Sequence, residues 1–460
     1  MNFLGEAVEI SEKKLSPMDL YKLLPKTNCG KCGSPTCMAF AFKLAQGAVA
    51  VDKCPFLTDE AKRALIGLTA PPIAVVAIGR RSREVKVGGE RVSFRHEDKF
   101  YNEPAIAVEL NDLTDADAVK TTLKTLRRYE VERMGQTLKI NMLALRNLSS
   151  ENDAFIRLVE TVRGVEYPLI ISTENPTLAG RALDIIRDEH PLLHGASLRN
   201  ITMMAMLAKR FNCPISIKAS DWGEFLSCVD RLKGLGFSEI VLQPPGDTLK
   251  QLMENLTIIR RLAVDKKFTK LGYPTIVFSS DVKSNVPEHL TVSALLVRYA
   301  SIIVVKPEVL PLIRPVMLLR QSIMMDPRAP ISIKPGLYTI GEPSENSPVL
   351  LTTNYALTFH ILRSDLKNQN VNCYLLVVDT GGLSVACSIA GNKLKPDSVK
   401  QMVEETGLEA KVGHKMLVIP GRAAKLAGEI EDITGWRVLI GPFNSKDIAD
   451  FLRKHNLIEQ

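Results

Sequence analysis

Aromatic side chains are scarce in this 460-residue chain, at 6% of positions with only two tryptophans. Of the two densest basic stretches, 79–86 (GRRSREVK) has no aromatic and 264–270 (VDKKFTK) a single one, Phe268, too few to interleave with the cations as base stacking requires. The formal charge of +8 is diluted over 59 basic and 51 acidic residues, so no nucleic-acid role is expected, and a solvated face or an acidic partner suits the excess better. No run of about eighteen apolar residues occurs, which argues against a membrane-spanning helix. The opening MNFLGEAVEISEKK carries acidic residues and no apolar h-region, so the reading is a cytoplasmic protein. Seven histidines are dispersed, and H-E-x-x-H, G-x-S-x-G, P-loop and G-x-G-x-x-G patterns are all missing. His190 and His194 are spaced for one helical face, but Pro191 between them argues against a metal site. With no catalytic side-chain constellation in sight, any chemistry is expected to be carried by a cofactor.

Cysteine is sparse as well, at eight residues, yet half are bunched in TNCGKCGSPTCMAF (27–40) and VDKCP (51–55). Cys29, Cys32, Cys37 and Cys54 form a C-x2-C-x4-C-x16-C pattern. A chain of this length has an ordinary core and needs no disulfide staples. Four thiolates ligate either zinc or an iron–sulfur cluster. Structural zinc usually takes two C-x2-C knuckles, and only the first pair has that spacing. The staggered trio with a distant fourth favours a [4Fe–4S] cluster, with zinc the alternative. Gly30 and Gly33 let backbone amides turn toward cluster sulfurs, and Cys37 opens a helix with free N–H donors. Cys213, Cys228, Cys373 and Cys387 are scattered and read as buried free thiols.

The rest divides as an α/β protein. Residues 1–65 form a small cysteine-bearing domain, with Ser16 and Pro17 opening a helix that Pro25 stops. Residues 66–99 read as a linker with short strands, IAVVAI and ERVSF, about the turn Gly88-Gly89. From 100 to 325, strand runs alternate with helical periods: PAIAVEL, LKINMLAL, PLIIST, a weak PLLHGAS, PISIKA, EIVLQ, PTIVFS and SIIVV. That count predicts a (β/α)8 TIM barrel. DPRAPISIKPGLYTIGEPSENSP (326–348) reads as a strap, and the remainder to 460 as a Rossmann-like doubly wound sheet with PVLLTT, CYLLVVD, SVACSIAG, KMLVIP and WRVLI as strands. Ligands of such sheets lie beyond the strand carboxyl ends. Four loops are expected there: 352–358, 379–386, 420–429 and 441–443, whose glycines and small side chains would let a flat or bulky ligand approach the backbone while threonine hydroxyls and helix N-termini hold polar groups; ordinary turn glycines are the alternative reading.

These residues resemble a known family. TNCGKCGSPTCMAFAFKLAQG…DKCP is similar to the cluster motif of the corrinoid iron–sulfur protein large subunit, the gamma subunit of archaeal acetyl-CoA decarbonylase/synthase complexes. DPRAPISIKPGLYTIGEPSENSPVLLTTNYALTFH and VIPGRAAKLAGEIEDITGWRVLIGP resemble its approach to, and its end of, the corrinoid domain. VFSSDVKSNVPEHL in the barrel departs from the pattern. The resemblance implies an iron–sulfur domain, a TIM barrel and a corrinoid-binding domain beside a small barrel subunit. It implies a methyl carrier of the acetyl-CoA pathway, formally a corrinoid-dependent methyltransferase component. Co(I) of a base-off cobamide accepts the N5-methyl of a methyltetrahydropterin, with or without a separate methyltransferase, and passes it to the nickel–iron cluster of acetyl-CoA synthase. The [4Fe–4S] cluster returns Co(II) to Co(I). Carried over by position, Cys29, Cys32, Cys37 and Cys54 are cluster ligands, and Thr352, Thr358, Gly382, Leu383, Ser384 and Val385 contact the corrinoid. Gly421, Gly441 and Pro442 are additions, and Ser384 stands where the family commonly has glycine. The alternative is an iron–sulfur electron-transfer protein whose last domain binds flavin or nothing; a zinc scaffold is a third reading.

Overall fold

A computed structural model describes residues 16–45 and 49–458; the reading of the first fourteen residues lies outside them. The cysteine segment is helical. Helix α1 (Pro17–Lys22) starts where expected, with the Ser16 hydroxyl accepting the Met18 N–H at 3.2 Å and Pro17 at the first position. Helix α2 (Cys37–Ala45) opens at the third cysteine, and α3 (Asp59–Thr69) is capped by Thr58. Their apolar faces meet in a small core of Leu20, Leu24, Phe40, Leu44 and Leu65. Each such side chain contributes about 1.5–3 kcal/mol when fully buried.

The described residues fall into two compact units, one running to Glu130 and again over Lys139–Met324, the other holding Val131–Leu138 and the chain from Met325. In the first unit β1 (Val75–Ile78) pairs antiparallel with β2 (Val85–Gly88). The second strand of this hairpin is thus 85–88, and ERVSF is not a strand. Gly88 and Gly89 both sit at positive φ and end β2 rather than turning it; a Cβ on Gly88 would lie 2.1 Å from the Ala74 carbonyl oxygen. Beyond them Glu90 and Ser93 are buried, facing Arg260 and Asp265.

The barrel follows. Its strands are β3 (Ala105–Asn111), then, after the short hairpin β4 (Val131–Arg133) and β5 (Gln136–Leu138), β6 (Met142–Arg146), β7 (Leu169–Ser172), β8 (Leu192–Ala196), β9 (Ile215–Lys218), β10 (Ile240–Gln243), β11 (Ile276–Phe278) and β12 (Ile302–Val305). All eight barrel strands are parallel, in the order β10-β9-β8-β7-β6-β3-β12-β11. A single bridge, Leu242 to Thr275, links the two end strands, so the barrel is nearly closed. Strand alternation sends Ala105, Ala107, Met142, Ala144, Ile170, Leu192, Val241, Ile276, Ile302 and Val304 inward, where Val76, Ile78 and Val87 of the β1–β2 hairpin join them. That hairpin bonds to residues just before β8 and β11, Gly79 N–H to the His190 carbonyl and Ala74 N–H to that of Gly272. It plugs the amino-terminal end of the barrel, leaving the carboxyl end for polar groups.

The second unit is an open sheet of β13 (Gly336–Ile340), β14 (Val349–Thr353), β15 (Cys373–Val378), β16 (Met416–Ile419) and β17 (Arg437–Ile440), ordered β13-β15-β14-β16-β17. Only β13 is antiparallel. The strap reading missed it: GLYTI lies in a Pro/Gly-rich stretch that looks like loop. SVACSIAG is likewise a helix, Val385–Ala390, and not a strand, because Ser384 caps it by accepting the Cys387 N–H at 3.4 Å. Successive residues of β14 and β15 enter opposite cores. Leu351, Leu376 and Val378 meet helices Pro396–Glu405 and Ala427–Thr434, while Leu350, Leu375 and Val377 meet Ala356–Asn368 and Ile448–Lys454. Both faces of the sheet are therefore covered.

Candidate functional site

In the second unit, β14 leads to β15 on one side and β16 to β17 on the other. The neighbours β14 and β16 therefore flank the point where strand order reverses, the place where open α/β sheets bind ligands. A cleft of about 430 Å³ lies there. Thr352, next to last on β14, lies on its floor, Val418 and Ile419 end β16, Thr358, Ile361 and Leu362 come from helix Ala356–Asn368, and Ser384 and Val385 open the next helix. Of the nine positions expected to contact a corrinoid, Thr352, Thr358, Ser384, Val385, Gly421, Gly441 and Pro442 line this cleft. The Thr352 side chain is 1% exposed and its hydroxyl has no hydrogen-bond partner. No histidine lines the cleft among the described residues.

Gly382 and Leu383 are not among the lining residues. They belong to a loop organised by Asn354, which sequence reasoning missed. The buried Asn354 side chain accepts at Oδ1 from the Thr380 N–H, the Thr380 hydroxyl and the Gly382 N–H, each at 3.0 Å, and its Nδ2 donates to Asp379 at 2.8 Å. A Cβ on Gly382 would lie 3.1 Å from the Pro330 carbonyl oxygen, at φ +76°. Gly421 and Gly441 also serve the chain itself. A Cβ on Gly421 would lie 2.7 Å from the Gly441 carbonyl oxygen, so the glycine lets the loops after β16 and β17 meet at the end of the cleft.

In the cysteine segment, Asn28, at positive φ, accepts the Cys37 N–H at 2.8 Å and ties the loop's two ends together. Gly30 and Gly33 take left-handed conformations, and the Gly33 N–H donates to the Gly30 carbonyl. Cys37 and Cys54 are buried in the small core, Cys32 packs against it, and Cys29 is exposed. Hydrogen bonds from the Lys31 backbone and the Thr27 side chain hold the Cys29 thiol below its ordinary range. As they stand, the four sulfurs are not gathered into one ligating group; among the described residues no cluster of three or more metal-binding side chains occurs. Elsewhere Cys213, Cys228 and Cys373 are buried as expected, and burial pushes their thiols up to about 12, 11 and 12. Cys387 differs: it is exposed on helix Val385–Ala390.

The carboxyl end of the barrel holds a polar cavity of about 500 Å³ that no motif announced. His194 on β8 is 4% exposed, with Nδ1 at 2.9 Å from the Ser172 hydroxyl and Nε2 at 2.8 Å from Gln243 Oε1. Burial drives its pKa down to about 4. Such an imidazole is neutral at pH 7, and Ser172, His194 and Gln243 form a buried hydrogen-bonded chain. Beside it Arg146 bonds Glu109 at 3.2 Å, Ser280 at 2.7 Å and Asp281 at 2.6 Å. His190 lies in the loop before β8, so the two histidines share no helical face.

With this geometry in place, the relatives are informative. A family model described as CO dehydrogenase/acetyl-CoA synthase delta subunit matches residues 75–452, the barrel and the second sheet. A separate model for an Fe-S cluster segment matches residues 24–56, which hold the four clustered cysteines. The gamma subunit of the acetyl-CoA decarbonylase/synthase complex of Methanothermobacter thermautotrophicus is 38% identical over 453 residues, covering 96% of this chain and 99% of that one. The corrinoid/iron-sulfur protein large subunit of Moorella thermoacetica is 35% identical over 440 residues, covering 95% and 98%. The chain belongs to the family of these gamma and large subunits. These relatives are named as a subunit of an acetyl-CoA decarbonylase/synthase complex and as a corrinoid/iron-sulfur protein. A solved dihydropteroate synthase from Thermus thermophilus superposes with a TM-score of 0.36 at 16% identity, over 54% of this chain and 96% of that one, a likeness too low to carry an argument. No helix among the described residues is long and apolar enough to cross a membrane.

Proposed function

We propose that this chain is the methyl-carrying subunit of an acetyl-CoA-forming or acetyl-CoA-cleaving complex, with a corrinoid at the cleft of the second sheet and a [4Fe–4S] cluster on Cys29, Cys32, Cys37 and Cys54. The carrying observation is the apolar cleft at the reversal of strand order, with the buried, partnerless Thr352 hydroxyl on its floor. The donor chemistry suits both groups. A corrinoid rim bears amides that can satisfy Thr352, and four thiols on one short segment, three of them around one small core, supply the ligand type a cubane takes.

When bound, the corrinoid supplies a cobalt nucleophile that takes the N5-methyl of a methyltetrahydropterin and yields it to the nickel–iron cluster of acetyl-CoA synthase; the [4Fe–4S] cluster supplies the electron that restores lost Co(I). The chain's own residues bind and shield. Thr352 and Thr358 hold polar rim groups, while Ile361, Leu362 and Val385 exclude water from the inner edge. Ser384 sets the Val385–Ala390 helix against the same cleft, and Asn354 fixes the loop behind it. Among the described residues, no histidine belongs to the side chains that would surround the group. A small barrel subunit completes the carrier. The strand order β15-β14-β16-β17 also suits a flavin at the same reversal point, which keeps a plain redox module as the second reading.

The test loads the anaerobically purified protein with a cobamide, reduces it and adds isotopically labelled methyltetrahydropterin together with the small subunit and, in a parallel arm, a methyltransferase. Label that travels with the protein and is discharged by acetyl-CoA synthase supports the proposal. A protein that binds flavin and takes up no label in either arm rejects it.

A further inference from the structure

Ser34 lies in the cysteine loop between Cys32 and Cys37. Its residue is 2% exposed, and its hydroxyl is a buried polar atom with no hydrogen-bond partner. An unmade hydrogen bond on a buried hydroxyl costs about 1–3 kcal/mol, so a retained one needs an acceptor. The surroundings narrow the choice. The Cys32 thiol points back at the Ser34 carbonyl, 4.0 Å away. The Asn28 bond to the Cys37 N–H closes the loop around Ser34. The neighbouring core is apolar, made of Leu20, Phe40 and Leu44 with Cys37 and Cys54. The acceptors that iron–sulfur ligation would bring into that space are thiolate and sulfide sulfurs.

We infer that the Ser34 hydroxyl donates a hydrogen bond to a sulfur of the cluster or of its ligating thiolates, and so sets the cluster's reduction potential. This rests on the proposal that Cys29, Cys32, Cys37 and Cys54 hold a [4Fe–4S] cluster. Adding one electron increases the negative charge on the sulfurs, so a donor aimed at them stabilises the reduced form more than the oxidised one. Ser34 is a positioning and tuning residue, not a ligand. Removing its hydroxyl lowers the potential and makes the cluster harder to reduce.

The test is a dithionite titration of the whole anaerobic protein, followed by electron paramagnetic resonance, with iron determined on each sample. Wild type, Ser34→Ala and Ser34→Thr are compared. Ser34→Ala is expected to keep its iron and move the midpoint to more negative potential by a tenfold change in the reduction equilibrium, about 59 mV for one electron. Ser34→Thr, which keeps the hydroxyl, is expected to return it toward wild type. An iron-replete Ser34→Ala protein at the wild-type potential overturns the inference. So does loss of iron in both variants with an unshifted residual signal, which marks Ser34 as mere packing. Wild-type protein that binds no iron overturns the cluster proposal itself, and this inference with it.

Discussion

Replacing Thr352 by valine should move two properties in opposite directions. The side chain is next to last on β14 at 1% exposure, and its hydroxyl has no partner in the protein. Valine keeps the branched shape, which suits a buried strand, and removes the unpaired oxygen. An orphaned buried hydroxyl costs about 1–3 kcal/mol, so the cofactor-free second unit should gain about 1 kcal/mol or more. The same hydroxyl, when it bonds a corrinoid amide, contributes about 0.5–1.5 kcal/mol, so cobamide affinity should fall about two- to twelvefold. Trp436 is fully buried in the second unit and the other tryptophan, Trp222, lies on a barrel helix. A Trp222→Phe background therefore isolates the second unit's fluorescence in urea, and spectrophotometric titration with a cobamide measures binding. Thr352→Val that destabilises the free protein, or binds cobamide as tightly as wild type, refutes the reasoning.

Gly421→Ala should lower the stability of the second unit by about 1–3 kcal/mol, since the new methyl meets backbone atoms that must move apart; an unchanged urea midpoint would contradict that. His194 titrates near 4 folded against an ordinary 6.5. Its contribution is therefore fully present above pH 6.5 and lost as pH falls toward 4, by about 3 kcal/mol in all. Urea unfolding of wild type and His194→Gln across that range should converge on acidification, and parallel pH profiles would show that the depressed pKa is wrong. Cys32→Ala should lose iron while keeping cobamide affinity within about twofold, because the two sites are built from separate segments of chain; cobalt falling in step with iron would break that division.

Barrel strands were legible because each is a short, mainly apolar run followed by turn residues and a helical period, and even the weak PLLHGAS is β8. There Gly195, at φ +112°, sits at a register irregularity that blurred the pattern. SVACSIAG misled because a short apolar run reads equally as strand or helix, and only the Ser384 cap decides. β13 was hidden among prolines and glycines, and its pairing with β15 is a long-range fact. The loops expected to meet a corrinoid were picked out through their glycines, yet for Gly421 and Gly382 the reason differs. They admit neighbouring backbone, a demand set by partners distant in sequence. The barrel mouth was invisible for a related reason. Glu109, Arg146, Ser172, His194 and Gln243 come from five separate strands, and no spacing along the chain marks residues that meet only on closure. The four cysteines were the reverse case, since their close spacing on one short segment is visible in the sequence itself.

The central claim is that one chain holds a cobalt carrier and the cluster that keeps it active. Metal analysis of protein purified without oxygen and reconstituted with iron, sulfide and a cobamide tests it most directly. The account predicts about four iron and about one cobalt per chain. Iron without cobalt, in the presence of the small subunit, would contradict the carrier reading, and zinc in place of iron would contradict the cluster.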